Sequence, residues 1–310
     1  MLHTQLMSDE ELPAVFKAVS NWGRWGADDE RGTLNLITPE VTAHAATEIR
    51  EGATVGFGSI DLSGSLAAAD PPTRHVMLKH GEEATDGYAS ATDFLGTDYH
   101  GVHTSHLDAL CHVFYDGRMY NDRPAGLVRS TGAEANTIEA FRDGIATRGV
   151  LLDIPAVRGT AFVDPLSPVV PEELDAALAA QGTDIREGDA LFVYVGRSAH
   201  RAATGSDFVD GALHVAGLDA SCLPWLHEKG IALLGSDGAN DALPRKAGAE
   251  RVPVHVGAIV YMGLPLLDNA ALDPLANACR ERSRWAFFTA ITPLAISGGT
   301  GSPVNPVAIF

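Results

Sequence analysis

Gly149-Val-Leu-Leu-Asp-Ile154 is a short apolar run stopped by Pro155, and its length predicts a buried strand. Ala190-Leu-Phe-Val-Tyr-Val195 reads the same way, as do 231–234 (Ile-Ala-Leu-Leu) and 285–291, from Trp285 to Ile291. Helical punctuation separates these runs. Pro171 opens a helix over 171–180 that Gly182 closes, Asp219 caps one that runs to His227 and stops at Gly230, and 253–262 reads as another. Near the start, Thr38 and Pro39 supply an N-cap and a first-turn proline for a helix over 41–49. Apolar strands alternating with helices predict an α/β fold. No repeat, low-complexity tract or linker divides residues 1–310, so they are read as one domain. The stretch 63–97, rich in Gly, Ala, Ser, Thr and Asp, predicts long surface loops.

Composition narrows the function. Of 310 residues, 45% are hydrophobic and 20% charged, which suffices for a sizeable core. A net charge of -18 repels phosphate backbones and anionic membranes, so neither nucleic acid nor membrane is an expected partner. Three scattered cysteines, Cys111, Cys222 and Cys279, make no disulfide framework and suit a reducing cytoplasm. The opening residues lack the pattern of a signal peptide, and no apolar run approaches the roughly 18 residues of a membrane helix.

Chemistry concentrates in Tyr99-His100-Gly101-Val102-His103-Thr104-Ser105-His106-Leu107-Asp108-Ala109-Leu110-Cys111-His112. Four of the 12 histidines fall here, around one aspartate. On a strand, His106, Asp108 and His112 share a face. On a helix, at about 100° per residue, His106 and Asp108 would diverge by roughly 200°. A shared ion therefore requires an extended segment. Imidazole and carboxylate suit zinc, manganese or iron with water as an extra ligand. The plainer reading is a hydrogen-bonded polar strand edge. Cys111 falls on the opposite face and reads as core packing.

These residues resemble the Putative cyclase superfamily, which includes bacterial kynurenine formamidase and isatin hydrolase. Its signature is His-x-Gly-Thr-His-x-Asp-x-Pro-x-His, and the run from Ser105 to His112 matches the second half, with Leu110 in the proline's place. Phe114-Tyr115-Asp116-Gly117-Arg118-Met119-Tyr120-Asn121 continues as in the larger members. Trp25 to Asn35, Leu233 to Asp237, Pro253-Val254-His255 and Gly298 to Pro306 extend the likeness over most of the chain. The resemblance implies a mixed sheet or barrel-like β core flanked by helices, of the swivelling β/α/β type. It implies His106 and Asp108 as metal ligands, and His112 as a second-metal ligand or general base. The first family histidine falls at Val102, which cannot bind a metal; His103 is the expected substitute, with His100 the other candidate. His255 matches a later catalytic histidine, Asp268 stands near a family glutamate, and Asp237 reads equally as a turn residue. One or two divalent ions, zinc or manganese, are implied, together with a homodimer.

The implied reaction is hydrolysis of an amide-type C–N bond in an aryl formamide, cyclic imide or lactam. Other readings stay open: a metal-dependent cyclase, dehydratase or lactonase; a non-haem iron oxygenase using His106, Asp108 and His255; and a non-catalytic, metal-stabilised binding protein. Ser198 and Ser236 lack a Gly-x-Ser-x-Gly elbow, and no dinucleotide or phosphate-loop motif is present. Trp22, Trp25 and Phe114 are candidates for an aromatic substrate wall or for core packing.

Overall fold

The structure is a computed structural model that describes residues 6–60, 73–84, 87–245, 248 and 250–310. Nine strands form one curled mixed sheet: β1 (Thr54–Gly56), β2 (His106–Asp108), β3 (Ile145–Asp153), β4 (Ala190–Tyr194), β5 (Leu233–Ser236), β6 (Leu266–Asp268), β7 (Ala286–Ile291), β8 (Gly301–Pro303) and β9 (Val307–Ile309). Across the sheet they run β1-β9-β7-β3-β4-β5-β6-β2-β8. The four central strands, β3 to β6, are parallel, and their neighbours on both sides are antiparallel.

The sequence explains the centre. Val150, Leu151, Leu152, Leu191, Phe192, Leu233 and Leu234 are all fully buried, as parallel strands covered on both faces require. Pro171–Gln181 packs against β3, and Leu272–Arg282 against β3 and β4. The mixed sheet flanked by helices is thus the architecture expected above.

Individual elements agree closely with their punctuation. Thr38 accepts a hydrogen bond from the Val41 amide at 3.2 Å, and the helix Pro39–Ala45 runs on as a 3-10 turn to Glu48. Gly182 ends Pro171–Gln181 at φ 60°. Asp219 leads into Cys222–Glu228 by accepting from the Ser221 and Cys222 amides. The expected helix over 253–262 differs in form: one α-turn, Pro253–His255, passes directly into a π-helix, Val256–Met262. Such widened turns are frequent at functional sites, and His255 sits at this junction.

The loop reading of 63–97 needs correction. Residues 63–72 lie outside the described residues, but Arg74–Lys79 pairs antiparallel with Thr92–Gly96, placing Val76 opposite Phe94. A hairpin gains its order from cross-strand contacts, which the small polar residues of the intervening stretch conceal in the sequence. Gly32 explains another feature of the fold, the turn at 25–35. At φ 54°, a Cβ there would lie 1.9 Å from the Gly263 carbonyl oxygen, so only glycine fits. The turn is locked by Asp29, which accepts from the Gly32 amide, Asn35 and the Tyr120 hydroxyl.

Leu151 lies in β3, the strand between β7 and β4, without exposed surface. Leu151→Ala is expected to destabilise the protein by about 2–5 kcal/mol. A chemical-denaturation midpoint equal to that of the parent would show that the centre of the sheet does not carry the core.

Candidate metal centre

The site begins with a strand of three residues. β2 lies between β6 and β8, with Leu107 buried in the core and His106 and Asp108 on the opposite face. Antiparallel register sets Asp268 opposite His106 and Gly301 opposite Asp108. Each pairing has a purpose. The first brings a second carboxylate onto the face of the histidine. The second leaves room: a Cβ at Gly301 would lie 2.7 Å from the Leu107 carbonyl oxygen and 2.9 Å from His100 Cε1.

Beyond Asp108 the chain does not stay extended. It turns, with the His112 amide donating to the Ala109 carbonyl at 3.0 Å, and the turn returns the His112 ring to the same face. The continuous strand expected over 106–112 therefore ends at Asp108, although the side chains converge. Asp108 Oδ1 has His100 Nδ1 at 3.0 Å, His106 Nε2 at 3.6 Å and His112 Nε2 at 3.9 Å. Asp108 Oδ2 has His255 Nε2 at 3.7 Å. The His100 and His112 rings stack 3.8 Å apart, nearly parallel. Among the described residues, potential ligand atoms form two groups, His100/Asp108/His112 and His106/Asp108/Asp268, each within 4.8 Å.

Asp108 is fully buried, yet neither carboxylate oxygen makes a hydrogen bond. His100 Nδ1 is likewise unbonded despite its approach. Buried charged groups are normally satisfied by hydrogen bonds, partners or metals, and these atoms fit a divalent cation. The surrounding bonds orient the rings outside the centre: His106 Nδ1 faces the Thr104 carbonyl at 2.9 Å, and His100 Nε2 faces Thr300 Oγ1 at 2.9 Å. Outer bonds of this kind fix the tautomer that leaves the other nitrogen available.

Burial alone would raise the Asp108 carboxyl, but the His112, His100 and His106 imidazoles outweigh it and hold the group below the ordinary carboxylate range. Burial pushes His112 down to about 4, so its ring is neutral at pH 7. His255 goes the other way. Burial would lower it, but the Asp268 and Asp241 carboxylates dominate and raise it well above the ordinary histidine value. Asp241 Oδ2 lies 2.6 Å from His255 Nδ1, and Asp268 Oδ2 lies 3.3 Å from His255 Nε2.

The structure brings together His106, Asp108, His112, His255 and Asp268 from the sequence-derived set, with His100, the alternative to His103, beside them. His103 stands outside both ligand groups and lines a neighbouring cavity of about 340 Å³ with Arg197, Ser198 and Asp273. Asp237 accepts amide hydrogens from Val195, Gly196 and Arg197, a capping role. Trp22 stacks on Tyr261, Trp25 packs beneath the Arg24 guanidinium, and Phe114 is exposed. Asp241, Thr300 and Gly301 escaped the sequence reading. Asp241 lies in a glycine-rich turn without ligand spacing, and the other two reach the site only through the pairing of β8.

In the metal-free protein His112 and His255 should titrate in opposite senses. His255 contributes stability below about pH 6.5 that is lost as pH rises through its raised value, whereas the His112 contribution, present above about pH 6.5, is lost as pH falls toward 4. Ring-nitrogen NMR between pH 5 and 8 is expected to show His112 neutral and His255 protonated. A His112 midpoint near 6.5 would contradict the burial described here.

Known proteins share this arrangement of elements. A crystal structure described as a novel cyclase superposes with a TM-score of 0.85 at 29% identity, covering 95% of this chain and 99% of its own. Isatin hydrolase A from Labrenzia aggregata, bound to benzyl benzoate, shares the fold at 16% identity, with a TM-score of 0.60 over 87% of this chain and 96% of its own. A structure described as a potential metal-dependent hydrolase with cyclase activity does so at 16% identity, with a TM-score of 0.51 over 83% and 96% of the two chains. No curated protein matches the chain. The family model described as Putative cyclase matches residues 60–240, more than half of the sequence, and the chain belongs to that family.

Proposed function

We propose that this protein is a metal-dependent hydrolase acting on an amide-type C–N bond of a small, aromatic-bearing molecule such as an aryl formamide, cyclic imide or lactam. The observation that carries the reading is the buried, unbonded Asp108 carboxylate ringed by His100, His106, His112 and His255. His100, His106, Asp108, His112 and Asp268 would hold one or two divalent ions, zinc or manganese. When bound, such an ion polarises a carbonyl oxygen and makes water acidic near neutral pH.

The chain's own groups supply the rest. Neutral His112 is suited to be a ligand or to accept a proton at Nε2. His255 is fixed by Asp241 at Nδ1, so its Nε2 is the atom that can hold a proton for the departing nitrogen. Burial of His106, Asp108 and His255 excludes bulk water from their polar atoms. The α/β sheet is not the jelly roll typical of the iron oxygenase alternative. The 1–310 span acts as one catalytic unit in this reading, in the cytoplasm; its three cysteines are all free and buried. Among the described residues, no helix is long and apolar enough to cross a membrane.

A homodimer belongs to the same proposal. Val76, Met77, Leu78, Phe94 and Leu95 of the hairpin are 47–64% exposed, and an isolated two-stranded hairpin is marginal in water. Arg74 and Lys79 on it would meet an acidic surface on a second copy, given the chain's charge of -18. Val76→Glu with Phe94→Glu is expected to give monomer by analytical ultracentrifugation; a parent that already sediments as monomer would refute the dimer.

The central test pairs elemental analysis with turnover of N-formyl anilines, cyclic imides, lactams and lactones, with and without chelator. His106→Ala is expected to lose metal content and at least about 100-fold in kcat/KM while keeping its circular dichroism. Retained activity in that variant would overturn the site. Turnover confined to lactones would replace the amide reading with a lactonase.

A further inference from the structure

Between His100 and His106 the chain forms no helix and no extended strand, yet both histidines must face Asp108. Three bonds to the intervening backbone come from two residues outside the site, and a fourth tie runs from the segment back to one of them. Arg197, at the start of the helix Arg197–Thr204, is buried, and its Nη2 donates to the Val102 carbonyl at 3.0 Å. Arg197 Nη1 donates to Asn269 Oδ1 at 2.5 Å. Asn269 Nδ2 in turn donates to the Gly101 carbonyl at 2.9 Å and to the Thr104 carbonyl at 3.4 Å. Ser105 Oγ adds a fourth tie by donating to the Asn269 carbonyl at 2.6 Å.

The Thr104 carbonyl is shared: His106 Nδ1 approaches the same oxygen. Asn269 follows Asp268 directly and is held at φ 55°, a conformation uncommon outside glycine but tolerated by asparagine. Its side chain thus links the strand end bearing Asp268 to the segment bearing His100 and His106. Arg197 is itself anchored, with Nε and Nη2 donating to Asp207 Oδ2 at 2.9 and 2.6 Å. A desolvated guanidinium, paired on one side and donating to loop oxygens on the other, forms strong and directional bonds.

We propose that Arg197 and Asn269 are positioning residues for the metal centre: together they clamp residues 101–105 so that His100 and His106 converge on Asp108. This rests on the metal reading above. Neither residue touches a ligand atom, so their effect is on affinity, by preorganisation.

The test measures zinc and manganese dissociation constants by competition with a chromophoric chelator, alongside the thermal midpoint of the metal-free protein. Asn269→Gly keeps the left-handed backbone and removes the amide; Arg197→Met removes the guanidinium. Both are expected to weaken binding by about 10- to 100-fold, with partial recovery in Arg197→Lys. Arg201→Met is the control, because Arg201 also pairs with Asp207, at 2.6 Å, but makes no bond to the loop. It should bind within about threefold of the parent at a similar loss of thermal midpoint. If Arg197→Met does not fold, Asn269→Gly decides. Affinities within about threefold of the parent in the variants would overturn the clamp. A parent that holds no metal would instead overturn the metal centre on which the clamp depends.

Discussion

A carboxylate without exposed surface or hydrogen bonds is the constraint around which this protein is organised. Leaving Asp108 charged in that position would be strongly unfavourable were it not for four nearby imidazoles. The antiparallel register of β2 creates the situation. It brings Asp268 beside His106 on one side and a glycine beside Asp108 on the other. Shifting that register by one residue would turn Leu107 to the site and both His106 and Asp108 into the core. Sheet geometry and site chemistry are therefore one problem, solved by three residues.

The imidazoles are not equivalent, and their surroundings divide the work. Burial keeps His112 neutral, whereas the Asp241 and Asp268 carboxylates make His255 more basic. Groups whose environments push their proton affinities apart are the usual basis for assigning ligand and acid–base roles. Cys111, next to His112 in sequence, faces the core, where burial raises its thiol to about 12 and leaves it inert.

Much of the fold was legible because its signals are local. The short apolar runs at 149–154 and 190–195 read as buried strands, and Thr38, Pro171 and Gly182 marked helix ends through bonds made within a few residues. His106 and Asp108 were legible for the same reason: alternation on a strand needs no knowledge of the rest of the chain. What was hidden depends on distant pairing. The choice of His100 over His103 is one such case, because Gly301 and Thr300 make space and a partner for the His100 ring some 200 positions later. Asp241 is defined by its bond to His255, and the 74–96 hairpin by Val76 lying across from Phe94. The π-helical widening after His255 likewise has no simple spacing rule.

The position of β2 between β6 and β8 has a consequence for the order of assembly. As the chain emerges from the ribosome, the histidine segment is made early, but both strands that enclose it are made much later. Until residue 301 has been added, that segment lacks its flanking backbone partners, and its four imidazoles remain open to any cation at hand. The face that carries His106, Asp108 and Asp268 is thereby completed late, after the sheet has closed around its own middle.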